Sequence, residues 1–267
     1  MTETLSDALA RTAGADHLLI ALDFDGTLAP FTEDPADSRP LPAAREALDT
    51  LADLPRTTVA IISGRPLEFL RAVVDPARRM VLSGSHGAEL DLTALPGLPE
   101  DAEHDIHLTV EQLNLLDRAV DATERLVSQY PGSRAELKPA GVCFHTRPIK
   151  DQRVSEQALA EMTRAYSELA GLRITPGQQV VECSVLSATK GDGLRIIKAA
   201  ASPDVIVFAG DDVTDEDAMA VLTVDDLGIK VGEKESAARQ RVSGPEELAD
   251  LLSVFADQRA RVVTSIK

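Results

Sequence analysis

Apolar runs and amphipathic segments alternate along the first hundred positions. His17–Leu22 is apolar and stops at Asp23, the pattern of a strand buried on both faces of a parallel sheet. Leu41, Ala44, Ala47, Leu48 and Leu51 recur at helical spacing, with Pro42 near the start, and predict a helix over Pro42–Leu54. Thr57–Ile62 is β-branched and predicts a second strand, Pro66–Val74 a helix, and Arg79–Ser83 a third short strand. Residues 1–16 read as a short amphipathic helix or a frayed end. Residues 29–40, rich in Pro, Asp and Ser, read as a loop.

The pattern then changes. Val110–Tyr130 and Val154–Ala170 are helical segments, each followed by a hairpin: Arg134–Leu137 with Gly141–Thr146, and Leu172–Thr175 with Gln179–Cys183. Strand–helix alternation resumes with Gly191–Ala200, Val205–Ala209, Asp215–Val221 and Leu227–Val231, and Pro245–Ala256 closes the chain as a helix. The expected fold class is α/β: a Rossmann-like parallel-sheet core of residues 1–105 and 185–267, interrupted by an α+β cap domain over 106–184.

Composition adds a constraint. Lys and Arg number 27 against 44 Asp and Glu, a net charge of −17. That charge opposes nucleic acid and anionic membrane, and an anionic substrate would need a cation and placed basic residues. Cys143 and Cys183 match no disulfide or zinc spacing, and the N-terminus lacks a signal-peptide pattern. We expect a cytoplasmic monomer acting on a small molecule.

Polar clusters follow the predicted strands, where α/β sheets bind ligands. Asp23-Phe24-Asp25-Gly26-Thr27 places two carboxylates where they could share a hard cation such as Mg²⁺. Asp23 could attack phosphorus, Asp25 could protonate the leaving oxygen and later activate water, and Thr27 could donate to an anion. The same string is also an ordinary Asp-Gly turn. Ser63-Gly64-Arg65 offers a hydroxyl and backbone N–H groups to a phosphate, or simply a helix cap. Lys190 could neutralise the attacking aspartate, or be a solvated lysine at a helix start. In Gly210-Asp211-Asp212-Val213-Thr214-Asp215-Glu216, acid density is costly without a cation. Asp211 is the expected direct ligand, with Asp212 and Asp215 holding metal waters or Lys190.

These clusters, in this order, resemble the haloacid-dehalogenase-like phosphatases. The resemblance implies Asp23 as nucleophile, Asp25 as general acid/base, Ser63 as phosphate binder and Lys190 as charge neutraliser. It implies Mg²⁺ at Asp23, Asp25 and Asp211, with Asp25 contributing its backbone carbonyl. Further strings resemble the trehalose-6-phosphate phosphatases: Ser63-Gly64-Arg65-Pro66, Gly84-Ser85-His86-Gly87-Ala88-Glu89, Glu136-Leu137-Lys138, and Val142 through Arg147, where Thr146 replaces the family's Tyr. Val181-Glu182 and the run Gly210–Glu216 fit as well. That resemblance implies hydrolysis of trehalose 6-phosphate through an aspartyl phosphate, as the final step of trehalose biosynthesis. It implies a cap that closes over the core and substrate contacts from Gly64, Arg65, His86, Glu136, Lys138, His145, Arg147 and Glu182. Strand alternation should put Glu136 with Lys138, and His145 with Arg147, on one face. The alternatives are sucrose 6-phosphate or mannosyl-3-phosphoglycerate as substrate, or a silent sugar-phosphate sensor. A mutase using the same aspartate is disfavoured, since nothing in the sequence addresses suppressing hydrolysis.

Overall fold

The computed structural model describes residues 3–99, 102–104 and 107–265. In chain order the elements begin α1 (Leu5–Ala13), β1 (Leu18–Leu22), α2 (Pro42–Ala52), β2 (Thr57–Ile62), α3 (Leu67–Val73), β3 (Val81–Gly84), β4 (Glu89–Asp91) and β5 (Glu103–His104). Next come α4 (Val110–Gln129), β6 (Arg134–Lys138), β7 (Gly141–His145), α5 (Gln152–Ser167), β8 (Arg173–Gly177) and β9 (Val180–Ser184). The chain finishes with α6 (Lys190–Ala201), β10 (Val205–Gly210), α7 (Asp215–Met219), β11 (Leu227–Val231), β12 (Gln240–Val242) and α8 (Pro245–Thr264).

Two compact units result: Met1–Asp105 with Ala188–Lys267, and Ile106–Ser187. The junction expected at 105–106 lies outside the described residues. Val185–Ser187 go with the second unit, where the Val185 N–H donates to the Ala140 carbonyl at 2.9 Å.

The first unit holds an eight-stranded sheet in the order β12-β11-β10-β1-β2-β3-β4-β5. Pairing is parallel from β12 to β3, and antiparallel at β4 and β5. The antiparallel edge was not expected from the sequence, because strands this short carry no readable period. β12 was missed for the same reason. The central strands alternate between two cores. Leu18, Ile20 and Leu22 pack with Leu48, Leu51, Leu252 and Phe255, while Leu19 and Ala21 pack with Leu194, Ile197 and Phe208. Each strand is apolar throughout because both faces are covered.

The second unit is an antiparallel sheet, β6-β7-β9-β8. Its covered face, Val142, Phe144, Val181 and Cys183, packs on Ala119 and Ala122 of α4 and on Ala158, Met162 and Tyr166 of α5. Strand alternation therefore turns Cys143, His145 and Glu182 to the other face. Thr146 is fully buried and its hydroxyl lies 2.6 Å from Ser155 Oγ, so the departure from the family string faces the helices. No helix among the described residues is long and apolar enough to cross a membrane.

One buried cation ties the first unit's N- and C-terminal elements. Arg259 of α8 is 0 % exposed and donates to the carbonyls of Ala13 (2.9 Å) and Arg56 (2.6 Å) and to Thr57 Oγ1 (3.0 Å). Arg259→Ala strands several carbonyls and should cost about 3 kcal/mol or more. Arg259→Lys should recover only part of this, lacking the fork of donors. Chemical denaturation measures both; a loss under about 1 kcal/mol for the alanine variant would remove Arg259 from this role.

Candidate active site

The carboxyl ends of β1, β2 and β10 deliver Asp23, Ser63 and Asp211 to one edge of the sheet. The chain beyond β1 turns sharply, with Leu28 and Ala29 N–H groups both donating to the Phe24 carbonyl. Gly26 makes that turn possible at φ 79°, and a Cβ there would sit 2.5 Å from Asp211 Cγ. The turn therefore presses against the acidic loop that follows β10.

Lys190 opens α6, whose start is fixed by a reciprocal cap between Thr189 and Asp192. Its ammonium is buried and donates to Asp23 Oδ1 at 2.6 Å and Asp215 Oδ1 at 2.7 Å. Thr27 Oγ1 donates to the other Asp23 oxygen at 3.3 Å. Asp215 also accepts from the Asp212 N–H at 2.8 Å. Asp212 itself pairs with Lys234 at 2.7 Å.

Asp23, Asp211 and Asp215 each offer an oxygen, all within 4.8 Å of one another. With all groups ionised, three carboxylates and one ammonium leave two negative charges in a buried site. Burial, with Asp215 close by, pushes Asp23 well above the usual carboxylate range and Asp211 up to about 6. Burial works against the Lys190 ammonium, yet its two carboxylates hold its pKa above the ordinary lysine range. Asp211 Oδ1 is buried without a hydrogen-bond partner among the described residues. Hard oxygen donors, an orphaned oxygen and surplus negative charge fit a divalent cation.

The Asp25 carboxylate is not in that cluster. It accepts from Arg65 Nε and Nη2 at 2.6 and 2.7 Å and from Ser38 Oγ at 3.0 Å. Arg65 is 15 % exposed and also lies over the Phe69 ring at 4.5 Å. Ser63 is buried, and its Oγ accepts from the Arg65 N–H at 3.2 Å. Gly64 leaves room for His86, since a Cβ would meet His86 Nε2 at 2.5 Å. Ser38, Lys234 and the Arg65–Asp25 pair were missed by sequence reasoning. Ser38 lies in a segment read only as loop, and Lys234 follows β11 with no motif around it.

In the second unit, Lys138 Nζ donates to Glu182 Oε2 at 2.6 Å, and His145 Nε2 lies 2.8 Å from Glu136 Oε2. Burial disfavours the Lys138 charge, but Cys143 and Glu182 beside it raise its pKa. These four expected sugar contacts thus form two hydrogen-bonded couples on one sheet. Arg147 lies beyond the end of β7 and is exposed, so the shared face expected with His145 does not extend to it.

The raised Asp211 has a thermodynamic consequence. Without a cation the fold retains a proton that the unfolded chain releases, so stability falls as pH rises from about 4 to about 6 and stays lower above that. In chelator, Asp211→Asn should raise Tm at pH 7 by about 3–6 °C and have little effect at pH 4. A divalent cation should raise the parent's Tm more than the variant's. Equal melting of the two proteins at pH 7 would show that Asp211 carries no such strain.

The trehalose-phosphate phosphatase of Mycobacterium marinum is 32 % identical over 275 positions, covering 95 % of this chain and 66 % of that protein. The bifunctional trehalose-6-phosphate synthase/phosphatase of Thermoproteus tenax is 34 % identical over 244 positions, covering 90 % of this chain and 32 % of that one. The chain therefore spans about two thirds or less of the length of these relatives. In fold it is similar to the C-terminal domain of C. albicans trehalose-6-phosphate phosphatase, with a TM-score of 0.81, 21 % identity and coverage of 96 % and 98 % of the two chains. The sequence profile of the trehalose-phosphatases matches residues 21–250, and the chain belongs to that family.

Proposed function

We propose that the protein hydrolyses trehalose 6-phosphate to trehalose and phosphate through an aspartyl phosphate on Asp23. The observation that carries this reading is Lys190, buried between Asp23 and Asp215 with Asp211 alongside. Lys190 and Thr27 each hold one oxygen of Asp23, which fixes the carboxylate's orientation for attack. An Asp23 oxygen bonds to phosphorus as the bond from phosphorus to the sugar oxygen breaks, and Asp25 gives that oxygen its proton. Asp25 then takes a proton from water, whose oxygen attacks phosphorus and releases phosphate and the Asp23 carboxylate. For these transfers Asp25 must leave the Arg65 guanidinium and take up a proton from solvent before it faces the reacting oxygens. Ser63 and the backbone N–H groups around it receive the phosphate oxygens.

Asp23 and Asp211, with the Asp25 carbonyl, would hold Mg²⁺, which supplies positive charge to the incoming phosphate dianion, while Asp215 keeps hold of Lys190. Asp212 would orient the metal's waters while paired with Lys234. Glu136, Lys138, His145 and Glu182 would grip sugar hydroxyls by charge-assisted hydrogen bonds. Their density supports a polar, uncharged disaccharide portion over the glycerate carboxylate of a mannosyl phosphoglycerate, which Glu136 and Glu182 would repel.

Asp23→Asn should remove phosphate release from trehalose 6-phosphate by about a thousandfold or more while leaving the fold intact by circular dichroism. Chelation should abolish turnover and added Mg²⁺ restore it. Retained hydrolysis in the amide variant or in chelator would end the proposal.

Glu182→Gln should lower kcat/KM for trehalose 6-phosphate by about 10- to 100-fold, the worth of one charge-assisted hydrogen bond. Hydrolysis of p-nitrophenyl phosphate, which has no second sugar, should change little. Equal losses on both substrates would place Glu182 outside sugar recognition. A faster rate on sucrose 6-phosphate than on trehalose 6-phosphate would reassign the substrate.

A further inference from the structure

The second unit's sheet carries a thiol that the proposed reaction does not use. Cys143 on β7 is the register partner of Glu136 on β6 and of Glu182 on β9. His145 stands two residues along β7, on the same face. A carboxylate oxygen of Glu136, the Cys143 sulfur and a His145 ring nitrogen all lie within 4.8 Å of one another. Around them, Cys143 Sγ is 3.4 Å from Glu182 Oε2, and Glu182 holds Lys138 at 2.6 Å.

We infer that Glu136, Cys143 and His145 form a binding site for a thiophilic divalent cation of the Zn²⁺ class, chemically distinct from the all-carboxylate cluster at Asp23. Sulfur, imidazole nitrogen and carboxylate oxygen are the donors Zn²⁺ takes in tetrahedral sites, whereas Mg²⁺ takes oxygen. Bonds of about 2.0–2.3 Å imply ligand separations of roughly 3.3–3.6 Å. Separations of up to 4.8 Å must close by about an ångström, while the His145–Glu136 pair, at 2.8 Å, must open to admit the ion.

Charge points the same way. A Cys143 thiolate with Glu136 and Glu182 gives three negative charges against one positive, Lys138. A divalent cation balances the remainder, and Lys138 stays tied to Glu182. On binding, the sulfur forms a bond to the metal and its proton passes to solvent. His145 binds through Nε2, so the proton that Nε2 shares with Glu136 leaves that nitrogen by exchange with solvent, the imidazole is held as the Nδ1–H tautomer, and the His145–Glu136 hydrogen bond is given up. No electrons change hands. Glu136 and His145 are only partly buried, which leaves an ion a way in.

One consequence rests on the proposed function: the site shares Glu136 and His145 with the sugar contacts, so Zn²⁺ and the disaccharide would exclude each other. The binding itself does not depend on that reading.

The test uses the full chain with excess Mg²⁺ to occupy the carboxylate cluster, and Co²⁺ as the spectroscopic probe. A sulfur-to-cobalt charge-transfer band should grow to one equivalent, be bleached by Zn²⁺, and be lost in Cys143→Ser, which retains Cys183. No band in the wild type, or a band that survives in the variant, would overturn the site. On the wild type alone, Zn²⁺ should slow modification of Cys143 by methyl methanethiosulfonate by about tenfold or more, read by peptide mass. An unchanged rate would equally overturn it. Neither readout involves turnover, so they stand or fall separately from the trehalose 6-phosphate assignment.

Discussion

A single ammonium group organises the chemistry of the first unit. Lys190 reaches into the sheet edge from the start of α6 and binds carboxylates that arrive from β1 and from the segment after β10. None of these groups would be stable there alone. Desolvating one carboxylate costs several kcal/mol, and a second beside it raises the cost. The lysine offsets part of that cost and leaves a deficit of positive charge. That deficit is a property of the fold before any ligand arrives, and it is what suits the site to a cation.

The rest of the unit holds that edge in place. The strands bearing Asp23, Ser63 and Asp211 are central and parallel, covered on both faces by aliphatic side chains. Their register cannot slip without moving buried residues into the opposite core. Gly26 and Gly64 remove side-chain bulk where backbone passes close to Asp211 and His86. The Arg65–Asp25 pair adds a second anchored charge at the same edge. Rigidity and electrostatics are thus supplied by different residues, the first by the aliphatic core and the second by its polar rim.

Much of this was legible in the sequence because central parallel strands announce themselves. The apolar run ending at Asp23 and the one ending at Gly210 could only be strands buried on both sides, and the polar residues after them had to share an edge. What escaped was of two kinds. β4, β5 and β12 are two or three residues long, too short to show a period. The partners Ser38 and Lys234 sit in loops, where contact is decided by tertiary geometry and not by spacing. The strand ending at His145 shows a related limit, since alternation predicts shared faces only while the strand continues, and Arg147 lies beyond its end.

The second unit's sheet divides its labour by residue parity. Val142, Phe144, Val181 and Cys183 are locked among helix side chains, while Cys143, His145 and Glu182 stand on the reverse of the same two strands. Changes at the first set would be read as failures to fold, and, under the roles proposed above, changes at the second as altered appetite for sugars or ions. The polar face of this sheet can therefore vary one strand position at a time without renegotiating the packing behind it.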